Sequence, residues 1–188
     1  MIGGPNGSGK STLYRHLKDQ AFLGRYFNAD DLVAEQRITG ENAQIAVRAM
    51  RDEAIESKID YCFETVMSHP SHIEHLEKAK LAGYRVNLIY VALDDPDVNL
   101  GRVKERVASG GHRVPKNRII KRYYRSLNLL ADAICMADNA RVYDNSDYQN
   151  PFVEVARLSD RKLFCGLWSD MPRWFLPAFV AIKASEEA

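Results

Sequence analysis

Gly4-Pro5-Asn6-Gly7-Ser8-Gly9-Lys10-Ser11-Thr12 (GPNGSGKST) decides the fold. Gly4 to Ser11 fits G-x-x-x-x-G-K-[ST] in full. Glycines let backbone N–H groups curl around phosphate oxygens, and the helix that must start near Lys10–Ser11 adds its positive end. Asn6, Gly7, Ser8 and Gly9 are the expected cradle. Lys10 would reach the β- and γ-phosphates, Ser11 would offer its hydroxyl to Mg²⁺, and Thr12 would reach the α-phosphate. A glycine-rich turn without a ligand would explain the glycines but not the complete motif at a helix start. Such a loop hangs from a buried strand, yet only Met1-Ile2-Gly3 precede it. The expectation is a very short central strand, an intact loop, and an unpaired stretch beside the neighbouring strands. The numbered start reads as clipped, or the true start lies upstream.

Downstream, strand and helix alternate. RYFNADD is a short strand ending in acids. ENAQIAVRAMRDEAIESKI has helical spacing at Ile45, Ala46, Ala49, Met50, Ala54 and Ile55. YCFETV reads as a buried strand, followed by a helix from Pro70 to Gly83. YRVNLIYVAL is β-branched and aromatic, the strongest strand. Pro96 opens the next helix, GGHRVP breaks it, and KNRIIKRYYRSLNLLADAICMAD reads as one long amphipathic helix. ARVYDNS is the last central strand. The alternation to about Ser146 implies a mostly parallel sheet with helices on both faces. Residues 147–188 read as an appendage to a single domain spanning 1–188, with a β-hairpin turning at SDRK and a terminal helix.

The 188 residues are 46% hydrophobic with net charge +1, which gives no support for a nucleic-acid or membrane-surface protein. Cys62, Cys135 and Cys165 are odd in number and far apart, so they suggest a reduced, cytoplasmic chain and no zinc site. WFLPAFVAI is too short to span a bilayer and contains Pro177.

Three classes of phosphate-loop protein compete. A GTPase needs N-K-x-D, which is absent. A transporter-type ATPase shares GPNGSGKSTL, and ASGGH imitates its signature. No apolar strand ending in Asp-Glu follows, however; ARVYDN carries Arg141 and ends in Asn145. A small-molecule kinase fits best. Asp30 and Asp31 follow the second strand and Glu64 ends the third, at the carboxyl ends where ligands bind such sheets. A kinase needs a carboxylate for the acceptor hydroxyl and cations for the transferring group. Arg102, Arg106, Arg113, Arg118, Arg122 and Arg125 lie on a helix–loop–helix broken at Gly110-Gly111, which reads as a lid over about 102–125.

GPNGSGKST, FNADDL, FETVMS, GYRVNLIYVAL, RVKERVASGGHRVPKNRIIKRYYRSL and VYDNS together resemble the zeta-toxin-type kinases, in particular their compact chromosomal members. G-G-H-x-V-P with R-Y-x-R-S-L is the most specific part, and the likeness fades beyond Ser146. The resemblance implies a P-loop kinase fold, three-layer αβα, with five strands in the order 2-3-1-4-5. It implies ATP and Mg²⁺, and transfer of the γ-phosphoryl group to a small-molecule hydroxyl, in studied members the 3′-hydroxyl of UDP-N-acetylglucosamine. Asp30 then maps to the base, with Asp31 competing. Glu64 and Thr65 map to the substrate site, and Arg113 or Arg106 to the phosphate clamp. Any antitoxin would be a separate chain. This compact chain lacks room for the substrate-binding segments of longer toxins, so the chemistry carries over better than the acceptor.

Each residue also has a plainer reading. Asp30 or Asp31 caps a helix beginning at Leu32. Glu64 in a buried strand needs a partner, either Mg²⁺ through water or the substrate. Arg118, Arg122 and Arg125 share a helix face, with Arg122 the choice for catalysis. His112 serves the lid hinge. His69, His72 and His75 form a polar helix face, not a metal site. Asn145 or Ser146 contacts adenine. Two further readings stay open, a metabolic or nucleotide kinase of the same fold and a non-catalytic ATP-binding module.

Overall fold

The computed structural model describes residues 1–186 apart from Phe22 and His112; the hinge expected at His112 therefore lies outside the described residues. Seven strands form one sheet: β1 (Ile2–Gly3), β2 (Arg25–Phe27), β3 (Tyr61–Thr65), β4 (Asn87–Ala92), β5 (Asn139–Asp144), β6 (Val153–Ser159) and β7 (Lys162–Cys165). Their order is β2-β3-β1-β4-β5-β6-β7. The first five pair in parallel and give the expected 2-3-1-4-5 core. The sheet does not stop at five, because β6 and β7 add antiparallel to the β5 edge. Asp160 and Arg161, both left-handed at φ 51° and 61°, make the two-residue turn between them.

The helices are α1 (Lys10–Leu17), α2 (Ala29–Gln36), α3 (Gly40–Glu56), α4 (Ser71–Leu81), α5 (Pro96–Ala108), α6 (Lys116–Asn128), α7 (Leu130–Met136) and α8 (Leu176–Glu186). The long helix expected after Pro115 is two, divided at Leu129. The α3 face matches the expected one at Met50, Ala54 and Ile55 but differs in its first half. Ile45 is 63% exposed, while Ala43, Val47, Ala54 and Ile55 are buried. Val47 carries the apolar stripe that the alanine-rich pattern had assigned to its neighbours.

The largest core cluster joins Leu76 of α4, Leu88 and Tyr90 of β4, Ile134 of α7, and Phe175 and Ile182. Phe175 is fully buried, and burying a side chain of that kind stabilises by about 1.5–3 kcal/mol. Trp174 Nε1 donates to Asp144 Oδ2 at 2.7 Å, so the C-terminal segment is tied to the end of β5. β1 is as short as expected, but it is paired on both sides. Ile2 and Gly3 meet Glu64 and Thr65 on β3, and Ile89 and Tyr90 on β4. The Met1 amine donates to Asn87 O at 2.8 Å. A cavity of about 500 Å³, lined in part by Met1, Tyr61, Cys62 and Asn87, lies beside it. This register puts the loop after β1 between the carboxyl ends of β3 and β4.

Candidate active site

The phosphate loop is held from behind. Gly4 (φ 142°) passes so close to the Val91 carbonyl that a Cβ there would collide with it, and Gly9 (φ 101°) would place a Cβ 2.5 Å from Asn145 Nδ2. Two asparagines brace the loop. Asn99 on α5, fully buried, donates to Asn6 O at 2.7 Å, and Asn145 donates to Ser8 O at 2.8 Å. Lys10 folds back to donate to Pro5 O at 2.9 Å and is 6% exposed. Burial holds its ammonium below the ordinary lysine range; Glu64 and Asp30 pull it back up, and Arg106 lowers it further. Gly9 caps α1 without a side-chain bond, so the first N–H groups of that helix remain open to an anion. Asn6 Oδ1, Ser8 Oγ and Asn99 Oδ1 are buried without a partner, which marks a loop whose polar atoms are incompletely satisfied within the chain.

The strand ends bring the acids to this loop. Glu64 accepts from Ser11 Oγ at 2.8 and 3.0 Å and from Tyr26 Oη at 3.0 Å, and lies 3.9 Å from Lys10 Nζ. Oxygen donors such as Ser11 and Glu64 suit Mg²⁺, a hard cation usually bound through few protein ligands plus phosphates and water. Among the described residues no group of three or more His, Cys, Asp or Glu forms a metal cage. Asp30 is exposed and pairs with Arg106 at 3.5 Å. Neither Asp30 nor Asp31 caps α2. The helix begins at Ala29 and Asn28 is the cap, accepting from the Asp30 N–H at 2.9 Å. Both acids thus sit in its first turn, where the helix dipole favours a negative charge. Burial raises the Asp31 carboxyl above its usual range, with Glu64, Glu35 and Asp30 adding to the rise.

Thr65 lines the cleft, yet its hydroxyl is engaged within the chain. It accepts from the Met67 N–H at 3.0 Å and lies 2.6 Å from His72 Nε2. His75 pairs with Tyr61 Oη at 2.7 Å and is buried. Of the polar helix face expected of His69, His72 and His75, the last two are turned inward, whereas His69 is exposed and precedes α4. Burial pulls His72 down to about 4 and His75 to about 3, so both stay neutral at pH 7.

One cavity of about 1120 Å³ gathers most of the expected residues: Asn6, Gly7, Gly9, Lys10, Ser11 and Thr12, Asp30, Glu64 and Thr65, Arg106, Arg113 and Arg122, and Asn145. Ser8 is buried behind it. Asp31 lines an adjoining cavity of about 770 Å³ with Asp30, Tyr14, Tyr26, Arg106 and Arg113. Arg122 is drawn below the usual arginine range by burial first, then by Arg118, with Asp30 opposing. Arg118 lines the main cavity with Arg122. Asn145, expected at adenine, spends its amide on the loop backbone, and Ser146 accepts from the Asp94 N–H.

Sequence reasoning gave Arg102 and Asn145 other roles and missed Asn99, Tyr148 and Phe152. Arg102 stacks on the Tyr148 ring at 4.4 Å and donates to Asn145 O at 2.9 Å. Phe152, left-handed at φ 58°, brings its ring to 3.4 Å from where a Gly9 Cβ would stand. Positive φ is rare for an aromatic residue, and no sequence signal announces it. Asn99 alone carried one, as an amide among the apolar positions Val98, Leu100 and Val103.

The zeta toxin family model matches residues 25–152. An uncharacterized protein of Haemophilus influenzae is 32% identical over 127 residues, 64% of this chain and 88% of its own length. The AvrRxo1-ORF1:ORF2 complex solved with ATP superposes with a TM-score of 0.68 at 16% identity, covering 87% of this chain and 59% of that one. This chain therefore spans about three fifths of that relative's length. The PezAT chromosomal toxin–antitoxin system of Streptococcus pneumoniae superposes with a TM-score of 0.59 at 14% identity, over 100% of this chain and 86% of that one. The structural likenesses show that the fold is shared with these proteins. With the family match covering more than half of its length, the chain belongs to the zeta-toxin family.

Proposed function

We propose that the chain is an ATP-dependent phosphotransferase acting on a hydroxyl of a small molecule, with a UDP-sugar as the first acceptor to try. The observation that carries this reading is the convergence of Lys10, Ser11, Glu64, Asp30 and Arg106 on one cleft at the strand ends. A pure binding module needs no carboxylate beside an exposed cationic segment.

In this reading Lys10 leaves Pro5 O for the β- and γ-phosphates. Asp30 takes the proton of the acceptor hydroxyl, whose oxygen forms the new P–O bond as the bond to the ADP oxygen breaks. Arg106, Arg113 and Arg122 gather the developing negative charge, and the segment 102–125 acts as the lid. Mg²⁺ would be held by Ser11 and, through water, Glu64, and would neutralise charge on the β- and γ-phosphates when bound. The base would lie toward Arg102, Tyr148 and Phe152. A relative solved with ATP supports the choice of nucleotide, and a toxin–antitoxin relative supports looking for a separate antitoxin chain. No helix among the described residues is long and apolar enough to cross a membrane.

The test is ATP consumption with and without UDP-sugars, then with pooled metabolites. Stimulation by UDP-sugars alone supports the full reading. Stimulation by another acceptor class keeps the kinase and discards the sugar nucleotide, and no stimulation by any acceptor sinks the enzyme. Growth arrest on expression separates a toxin from a metabolic kinase.

A further inference from the structure

We infer that Tyr26 is a positioning residue that keeps Glu64 on Ser11 and away from Lys10, so that ATP binding gains from Mg²⁺. The inference rests on the proposed roles of Ser11 and Glu64 at the metal side of the nucleotide.

A chain of hydrogen bonds runs from the start of α2 to the Glu64 carboxylate. The Asp30 N–H donates to Asn28 Oδ1 at 2.9 Å, which fixes the asparagine amide. Asn28 Nδ2 then donates to Tyr26 Oη at 3.0 Å. The Tyr26 hydroxyl must therefore use its own proton elsewhere, and it donates to Glu64 Oε2 at 3.0 Å. Ser11 donates its single proton to the same carboxylate. That leaves the lone pairs of Ser11 Oγ for a cation. The tyrosine ring is itself fixed, stacked on Tyr14 with centroids 3.7 Å apart and planes at 9°.

Glu64 has a competing partner. Lys10 Nζ lies 3.9 Å from Oε1, at the outer edge of an ion pair, and the lysine is buried. With little water to screen them, the two charges attract strongly. The Tyr26 hydroxyl anchors the other carboxylate oxygen on the side of β2. Remove it, and Glu64 is free to close on Lys10. That closure would release Ser11 from its orienting acceptor and compete with the phosphates for the lysine. Groups that orient metal-side residues in this way are commonly worth ten-fold or more in metal affinity.

Tyr26→Phe removes the hydroxyl and keeps the ring on Tyr14. Tyr14→Phe is the control, since Tyr14 supplies a ring and no bond to Glu64. Calorimetry with ATP in EDTA and in excess Mg²⁺ measures the gain in affinity that Mg²⁺ brings. The expected result for Tyr26→Phe is a gain smaller by about ten-fold, with ATP affinity in EDTA and the melting temperature close to wild type. Tyr14→Phe should keep the full gain. Two results overturn the inference: an unchanged Mg²⁺ gain in Tyr26→Phe, or equal losses with and without Mg²⁺, which would mean a merely structural tyrosine. Asn28→Ala, which frees the tyrosine hydroxyl from its own donor, should give a smaller loss of the same kind if Tyr26→Phe does not fold. Failure of the wild-type chain to bind ATP in either buffer would overturn the proposed function and this inference with it.

Discussion

The phosphate loop and the arginine-bearing segment face each other across one cleft and are built in opposite ways. The loop is packed into the sheet. Ser8, Lys10, Asn99 and Asn145 are all buried, and two asparagines hold its carbonyls in place. The segment opposite packs Val103, Ile119 and Tyr123 inward and turns most of its arginines toward the cleft and solvent. Arg113 and Arg118 lie at the surface, and the Arg106–Asp30 pair is 42% and 58% exposed. Under the proposed function the difference is one of timing. A cradle must be shaped before the phosphate arrives, because reorganising it at the moment of reaction would raise the barrier. A clamp must admit substrates first and close later. Substitutions in the first half should therefore disturb binding and stability together, whereas those in the second should disturb chemistry alone.

The largest expected effect is that of Lys10→Ala. Loss of one such electrostatic group costs about 10²–10³ in turnover, and ATP affinity should fall as well. A variant with undiminished phosphoryl transfer would break the comparison at its strongest point. Asp30→Asn comes next, on the open side. ATP binding should persist while transfer falls by about 10²–10⁴, read from nucleotide titration beside product formation. If Asp31→Asn gives that pattern instead, the base stands one residue further along.

The two halves were unequally legible in the sequence. The loop announced itself because its glycines, lysine and serine form a complete motif at a helix start; strand–helix alternation gave the mostly parallel sheet, and the order 2-3-1-4-5 came from the family resemblance. Glu64 was legible because an acid in an otherwise apolar strand asks for a partner. The bracing residues were not, since Asn99 and Asn145 act through contacts 93 and 137 residues away along the chain. Asn28 was overlooked for a related reason. Two aspartates follow it, both plausible caps, and only the backbone shows that the helix starts at Ala29. The inward turn of His72 and His75 was equally hidden, because helical spacing fixes a shared face but not which way it looks.

Those histidines, on α4 against β3, give the folded chain its own pH dependence. In the folded chain His72 and His75 titrate near 4 and 3, against about 6.5 when unfolded. Above pH about 6.5 both states are neutral and the pair leaves stability unchanged. As the pH falls below that, the unfolded chain takes up protons that the folded chain refuses, so stability drops, by up to about 1.4 kcal/mol per pH unit for each histidine. Melting temperature should fall steadily from pH 6.5 toward pH 4. His75→Gln, which keeps a hydrogen-bonding partner for Tyr61, should flatten that slope. An unaltered slope would mean that other groups carry the acid sensitivity.

The smallest effects separate the halves most cleanly, because they can be compared on one scale. Asn99→Ala removes the donor to the half-buried Asn6 carbonyl, which costs about 1–3 kcal/mol for a group left unsatisfied. At about 2–4 °C per kcal/mol for a chain of this size, the melting temperature should drop by several degrees, and ATP affinity should weaken because the cradle loses its brace. Arg118→Ala removes a solvent-exposed side chain that lines the same cavity. Surface substitutions of that kind stay within about 0.5 kcal/mol, so its melting temperature should match wild type while phosphoryl transfer slows. Equal thermal shifts in the two variants would show that the arginine segment is packed as firmly as the loop. The cleft would then be one rigid body, with no moving half to close it.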